Sequence, residues 1–171
     1  MKHKMSYLKG SIIVLLLATM GIMAFQYNPS NYEPVFMARD QMEQAVKLQG
    51  PEAIEKPGKL WLYNNKIFLI EQYRGIHVID NTNPENSVNE AFIKIDGCTE
   101  VAVKGGVIYT NNAVDLIAIK GEMDFSSIEV VSRNRDTLPI VSSPEPWNDW
   151  YFIDQVPEGM IIVRWEPYNA D

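Results

Sequence analysis

Short apolar runs separated by polar or glycine-bearing breaks mark residues 59–84. The runs cover residues 60–63, 67–70 and 76–79. Runs of this length that are rich in β-branched and aromatic residues predict strands. Asn64 and Asn65 tolerate positive φ, so the first break suits a tight hairpin. Residues 80–84, Asp-Asn-Thr-Asn-Pro, predict a terminating turn, because proline cannot donate to a strand ladder.

The same pattern recurs about 40 residues later. Aligned without a gap, residues 59–81 fall on residues 99–121, and the break at Asn64-Asn65 falls on Lys104-Gly105. Fourth strands are expected at residues 91–95 and 128–132. This period, with several strands per unit, is typical of propeller blades. Ile79 and Ile119 are the one identical pair in the alignment, so a general likeness of strand-rich segments is the alternative.

The flanking segments predict caps for the two units. Residues 26–38 carry Asn and Pro and indicate a tether. Asp40 and Glu43 have capping-box spacing, which predicts a short helix that Gly50-Pro51 ends. Residues 160–165 predict a last strand that pairs with an open sheet edge. Residues 39–171 are therefore expected to form one all-β domain of two propeller-like four-stranded units, with a short N-terminal helix and a C-terminal closing strand.

Two such units are too few to close a ring, and open sheet edges invite association. Capping by the chain's own ends is the favoured remedy, and oligomerisation or a compact barrel-like sheet are the alternatives.

The N-terminus has the layout of an export signal. Three lysines within the first nine residues precede an apolar run at residues 11–25. That run is shorter than the roughly 20 residues that a spanning helix needs. Residues 1–25 are therefore predicted to be a signal peptide or an uncleaved membrane anchor, which places the protein in the periplasm or cell envelope. Any membrane contact would come through this segment alone.

Composition narrows the chemistry. The chain of 171 residues is 46% hydrophobic and carries a formal net charge of −7. An acidic balance argues against a nucleic-acid partner, since phosphate binding favours a basic face. Cys98 is the single cysteine, so no internal disulfide can form.

Residues 75–80, Gly-Ile-His-Val-Ile-Asp, followed by Asn83-Pro84, resemble the bacterial LVIVD-repeat proteins. Residues 115–120 keep the apolar core of that motif but lack its terminal Asp and the Asn-Pro turn. The resemblance extends to uncharacterised envelope lipoproteins that contain the repeat, through residues 37–40, 57–59, 73–84, 112–116 and 161–165. It implies a β-propeller-like exported protein of unknown role. Such relatives carry a lipidated cysteine after the apolar run; this chain has none there, so lipidation is not expected.

Candidate chemistry is sparse. His77 in mid-strand is expected to be a packed, hydrogen-bonded core residue, and Cys98, flanked by acids, an inert thiol. Residues 80–85 fail the EF-hand pattern because Pro84 occupies an oxygen-ligand position, so a structural turn is expected. The sequence contains no nucleophile elbow or phosphate-binding loop, and no metal or cofactor is predicted.

An aromatic cluster is the best local candidate for a binding surface. Trp147, Trp150, Tyr151 and Trp165 form an aromatic cluster that could bind a protein or glycan partner, or could instead seal the end of the sheet. The leading hypothesis is a non-catalytic binding module that presents a β-surface. The alternatives are a structural subunit of an envelope assembly and a glycan hydrolase that uses paired carboxylates. The carboxylates considered for that pair are Glu71, Asp80, Asp115 and Asp149.

Overall fold

A computed structural model of the protein describes residues 31–122, 125–145 and 152–168. In these ranges the chain is mostly strand, which confirms the all-β prediction. The elements are β1 (Tyr32–Ala38), α1 (Arg39–Gln44), β2 (Lys47–Gln49), β3 (Pro57–Tyr63), β4 (Lys66–Glu71), β5 (Gly75–Asp80), a 3₁₀ turn (Pro84–Asn86), β6 (Val88–Lys94), β7 (Val101–Lys104), β8 (Val107–Asn112), β9 (Asp115–Gly121), β10 (Ile128–Asn134) and β11 (Met160–Pro167).

Two antiparallel meanders form the body of the fold. Strands β7 to β10 pair consecutively in a four-stranded sheet, and β3 to β6 pair in the same way. The expected fourth strands are therefore present as β6 and β10. The first sheet has five strands rather than four, because β2 adds to the outer edge of β6.

The segment before the first meander differs from the prediction. The helix ends at Gln44, and the next residues form the edge strand β2 instead of further helical turns. No side chain caps the helix at Ala38, and Asp40 lies in its first turn. Val46 and Leu48 pack against the main core. Burial of these two side chains against the sheet stabilises the strand more than continuation of the helix would.

The two ends of the described chain pair with each other. The predicted closing strand is β11, and its partner is β1, with Ala38 opposite Met160 and Tyr32 opposite Pro167. Residues 32–38 are thus a strand, although the sequence predicted a tether there. The pair contributes to a second apolar cluster that includes Met42, Ile162 and Val163. Within the described residues, no helix has the length and apolar character required to cross a bilayer.

The strands of the two meanders align residue by residue only when a gap of one residue is allowed, which the ungapped sequence alignment did not include. Trp61 lies opposite Phe68, and Ala102 lies opposite Tyr109, so the first hairpins are offset by 41 residues. The strands β5 and β9 begin at Gly75 and Asp115, an offset of 40. The difference arises because three residues, 72–74, join β4 to β5, whereas two residues, 113–114, join β8 to β9.

The two sheets bury opposite faces in the core that they share. Phe68 and Val78 point into the core between the two sheets. Their counterparts in the second meander, Tyr109 and Ala118, are not in that core, and the adjacent Ile108 and Ile119 are. Because successive side chains alternate between faces, one face of the first sheet packs against the opposite face of the second.

Candidate functional site

A loop crosses the outer face of the first sheet. The strands β2 and β3 occupy opposite edges of that sheet, so residues 50–56, here called the strap, must span it. The side-chain amide of Asn89 donates to Glu52 O at 2.8 Å. The backbone N–H groups of Glu55 and Lys56 donate to the Glu71 carboxylate at 3.0 and 2.5 Å. Polar groups of the sheet therefore hold the strap in place.

Beneath the strap lies a fully buried pair, Glu71 and His77. His77 Nε2 is 3.1 Å from Glu71 Oε2, and the imidazole ring lies 4.9 Å from the Phe92 ring. Its other nitrogen, Nδ1, is 3.4 Å from the Asn89 amide. In the described part of the chain, no hydroxyl or thiol is hydrogen-bonded to His77. The expectation of a packed, hydrogen-bonded histidine is confirmed, and the pair has no attached nucleophile to activate.

The charge of Glu71 is maintained despite its burial. Burial by itself raises the pKa of this carboxyl, but the hydrogen bonds from Glu55, His77 and Lys56 outweigh it and hold the pKa below its usual value. The carboxylate therefore stays ionised and continues to accept the strap amides at neutral pH.

A polar pocket of about 570 Å³ opens beside the strap. Its sheet side is formed by Lys47, Gln49, Phe92, Lys94 and Asp96. The strap forms a second side, and residues 164–166 of β11 form a third. A volume of this size falls within the range of small-molecule sites, roughly 300–1,000 Å³.

Several pocket groups already have partners. The Arg74 guanidinium pairs with Glu52 at 2.7 Å and with Glu55 at 3.3 Å, and it lies 5.9 Å from the centre of the Phe92 ring. Arg164 pairs with Glu166 at 2.7 Å. These groups pair with one another along the wall of the pocket.

Other polar groups of the pocket are less well paired. The buried oxygens Gln49 Oε1 and Asp96 Oδ2 accept no hydrogen bond in the described structure, although Asp96 Oδ2 forms an ion pair with Lys94 Nζ at 3.6 Å. Among the described residues, Lys47 and Lys56 form no ion pair. The pocket thus offers buried acceptors together with exposed ammonium groups.

The edge of the first sheet that β3 forms is apolar and exposed. On the edge strand β3, Leu60, Trp61 and Leu62 are 61%, 42% and 60% exposed. Leu60 and Leu62 share the outer face, since they lie opposite Leu69 and Ile67. Lys59 pairs with Glu100 at the start of this row. Three consecutive large apolar side chains on a sheet edge form a surface suited to contact with another chain.

The carboxylates considered for catalysis are dispersed in structural roles. Asp115 is fully buried and accepts hydrogen bonds from Arg133 at 2.7 Å, from Arg39 at 3.0 Å and from the Asp136 amide at 3.1 Å. Burial raises the pKa of Asp115, but these bonds outweigh it and leave the pKa lowered. Asp80 accepts from the Thr82 amide, and its pKa is lowered to about 2. Asp149 lies outside the described residues.

Two further expectations are confirmed. Cys98 is buried, and burial raises the pKa of its thiol to about 12, so it is inert at neutral pH. Residues 80–85 form a structural turn, in which Asn83 accepts from the Glu85 amide at 3.2 Å. The described residues contain no group of three or more His, Cys, Asp or Glu side chains that could hold a metal ion.

Of the predicted aromatic cluster, only Trp165 lies within the described residues. Trp165 is buried, its indole N–H donates to Val141 O at 2.7 Å, and its ring packs edge-on against Phe152 at 5.5 Å. This side chain therefore belongs to the core beside β11. Trp147, Trp150 and Tyr151 lie outside the described residues. The strap, the pocket and the exposure of the β3 edge were not predicted. The sequence predicts residues 60–63 as a strand, but no local signal shows that this strand lies at a sheet edge.

A scan of protein families, a search of curated proteins and a search of solved structures each found no match for this chain.

Proposed function

We propose that this protein is a non-catalytic binding module of the cell envelope that receives an extended segment of a protein partner along β3. The single observation that carries the proposal is the exposure of Leu60, Trp61 and Leu62 on an edge strand. A partner segment would add to the sheet through backbone hydrogen bonds, and its alternate side chains would cover the leucines. Export by residues 1–25, without lipidation, is part of the proposal.

The unequal protection of the sheet edges supports this choice of strand. The edge strand β10 carries Glu129 and Arg133 and has a bulge between Val130 and Ser132, and charges and bulges both discourage pairing. The strand β3 has Pro57 at its start and Lys59 next to the apolar row, but no charge within the row. An edge that is left apolar at its centre is the one best suited to a strand-adding partner.

The same proposal includes a propeller-like arrangement related to the LVIVD-repeat proteins. Two consecutive meanders with an offset of 40–41 residues, packed by opposite faces, are how neighbouring blades of a propeller stack. In that arrangement β3 and β7 are the innermost strands. With few blades, the inner strand β3 lies open to a partner instead of facing a closed channel.

The observations do not favour hydrolysis. A glycosidase needs one carboxylic acid with a raised pKa to protonate the leaving group. Glu71, Asp80 and Asp115 all have lowered pKa values and accept hydrogen bonds from the protein itself.

The test is a selection of linear peptides from a displayed random library against the full-length protein. We expect enrichment of peptides with alternating apolar residues, and loss of their binding in the double variant Leu60→Lys/Leu62→Lys. Val131→Lys is the matched control, since Val131 is 47% exposed on the edge strand β10 and should leave binding unchanged. Burial of each leucine by a peptide is worth about 1.5–3 kcal/mol, so the double variant should weaken binding by at least 100-fold, roughly.

Two results would overturn the proposal. One is a selection that enriches no peptide. The other is a set of peptides that bind the double lysine variant as tightly as the original protein. A mass that rises with concentration in sedimentation, and that the double lysine variant abolishes, would identify a second copy of the chain as the occupant and favour the structural-subunit alternative.

A further inference from the structure

We infer that His77 and Asn89 form a pH-sensitive switch: protonation of His77 reverses the Asn89 amide and releases the strap at Glu52. The switch lies beneath the strap and uses none of the exposed apolar residues of β3, so the inference does not depend on the proposed partner.

The carboxylate partner of His77 fixes which ring nitrogen carries the proton. Glu71 is ionised and can only accept, so His77 Nε2, at 3.1 Å from Glu71 Oε2, must be the donor. In the neutral ring the other nitrogen, Nδ1, is then a bare acceptor. A second proton therefore enters at Nδ1 and converts that nitrogen into a donor.

The group that faces Nδ1 is the side-chain amide of Asn89. Its nitrogen lies 3.4 Å from Nδ1 and donates to Glu52 O at 2.8 Å. A backbone carbonyl can only accept, so the contact with Glu52 determines that the amide nitrogen, not its oxygen, lies on this side. The arrangement suits a neutral His77, whereas a protonated His77 sets a ring N–H against the NH₂ group.

The other end of the same amide has no partner to hold it. Asn89 Oδ1 is buried and accepts no hydrogen bond within the described residues. Half a turn of the amide brings this oxygen to the new N–H of His77 and satisfies both groups. The same rotation turns Oδ1 toward the Glu52 carbonyl, and two acceptors in contact repel each other. The hydrogen bond that holds the strap at Glu52 is therefore lost when His77 is protonated.

Charged groups from three segments lie around the His77 ring. The strand β4 supplies Glu71, the strap supplies Glu52, Glu55 and Lys56, and the turn after β4 supplies Arg74. The neighbour across the strand pair on β6 is Phe92, which does not titrate. The ion pairs of Arg74 bind partly exposed side chains of the strap, so they do not replace a backbone hydrogen bond.

The remaining hydrogen bonds restrict the release to one end of the strap. The pKa of Glu71 lies below its usual value, so this carboxylate stays ionised while His77 gains its proton. The amides of Glu55 and Lys56 therefore keep their acceptor. Glu52 lines the polar pocket, so its release opens one side of that pocket. The switch thus couples pH to access to the pocket.

The test is an NMR titration of the full-length protein from about pH 8 to about pH 5, the range in which histidine ordinarily changes charge. The His77 ring signals report protonation, and the heteronuclear ¹H–¹⁵N NOE of residues 52–54 reports the order of the strap backbone. We expect the NOE of residues 52–54 to fall with the same midpoint as the His77 ring signals, while residues 55 and 56 stay ordered.

Two pairs of variants identify the parts of the switch. His77→Gln should make the order of residues 52–54 independent of pH, whereas His3→Gln, at the one other histidine of the chain, should keep the original response. Asn89→Asp introduces a carboxylate that cannot donate to the Glu52 carbonyl, so residues 52–54 should be mobile already at neutral pH. Asn65→Asp, at an exposed turn residue, is its matched control and should leave the strap ordered there.

The inference is overturned if His77 gains its proton while residues 52–54 stay ordered, or if His77 takes up no proton down to about pH 5. A response that persists in His77→Gln would also overturn it. Where His77→Gln does not fold, Asn89→Asp decides the matter, because a strap that stays ordered at neutral pH in that variant contradicts the role of the amide.

Discussion

Replacing Glu71 with glutamine tests whether a buried carboxylate holds the strap. The carboxylate accepts from the amides of Glu55 and Lys56 and from His77 Nε2. The glutamine amide retains one acceptor oxygen. If that oxygen takes the Oε2 position, it keeps Glu55 and His77 as donors and turns its NH₂ group toward the Lys56 amide.

The expected loss of folding free energy follows from the hydrogen bonds that Glu71→Gln removes or weakens. One charge-assisted hydrogen bond is lost, worth about 1.5–3 kcal/mol, and the Lys56 amide faces another donor. The two remaining bonds become neutral and lose about half of their strength. We expect the free energy of unfolding to fall by about 3 kcal/mol, with the loss of ordering concentrated in residues 50–56.

The assay is urea unfolding of the full-length protein together with amide hydrogen exchange. Exchange at the Glu55 and Lys56 amides should accelerate in Glu71→Gln before the rest of the sheet is affected. Glu129→Gln, an exposed glutamate on β10, is the matched control and should change stability by less than about 0.5 kcal/mol.

The pH dependence gives a second readout with a fixed sign. The folded pKa of Glu71 is lowered, so its ionised form stabilises the fold above the unfolded pKa, and that stabilisation is lost as the pH falls through the folded value. The difference between the original protein and Glu71→Gln should therefore be largest near neutral pH and shrink below about pH 4. Equal stability of Glu71→Gln and Glu129→Gln, or a difference that persists unchanged at low pH, would refute this account.

Two further predictions concern other buried groups. Asp115→Asn leaves Arg39 and Arg133 without their shared carboxylate and should lower the free energy of unfolding by about 3–5 kcal/mol. The effect should diminish in acid, because the folded pKa of Asp115 is lowered. Urea unfolding measures the loss against the control Asp154→Asn, and an equal loss in both variants would contradict the prediction. Cys98 should resist a thiol reagent at pH 8 in the folded protein and react once urea unfolds it, because its thiol is buried with a pKa of about 12. Labelling at equal rates in both states would count against that burial.

Local pattern was enough to predict the elements of the two meanders. Short apolar runs, divided by Asn64-Asn65 and by glycines, place β3 to β5 and β7 to β9 close to their observed bounds. The turn residues Asn64 and Asn65 both have positive φ, as the hairpin prediction requires. These features depend on a few adjacent residues, so the sequence determines them with little help from the rest of the chain.

Contacts between distant segments decided the rest. Residues 32–38 form a strand only because residues 160–167 lie beside them, and β2 is a strand only because β6 offers its edge. Packing of one sheet on the other decides which face of each is buried, since Phe68 and Val78 lie in the shared core whereas their counterparts Tyr109 and Ala118 do not. The strap and its pocket exist because β2 and β3 lie on opposite edges of one sheet, a relation that no local pattern records. The sequence by itself therefore determined the strands of the two meanders and their hairpins. The tertiary structure decided the other pairings, the buried faces and the polar groups that line the pocket, because those depend on contacts between segments from 43 to 135 residues apart.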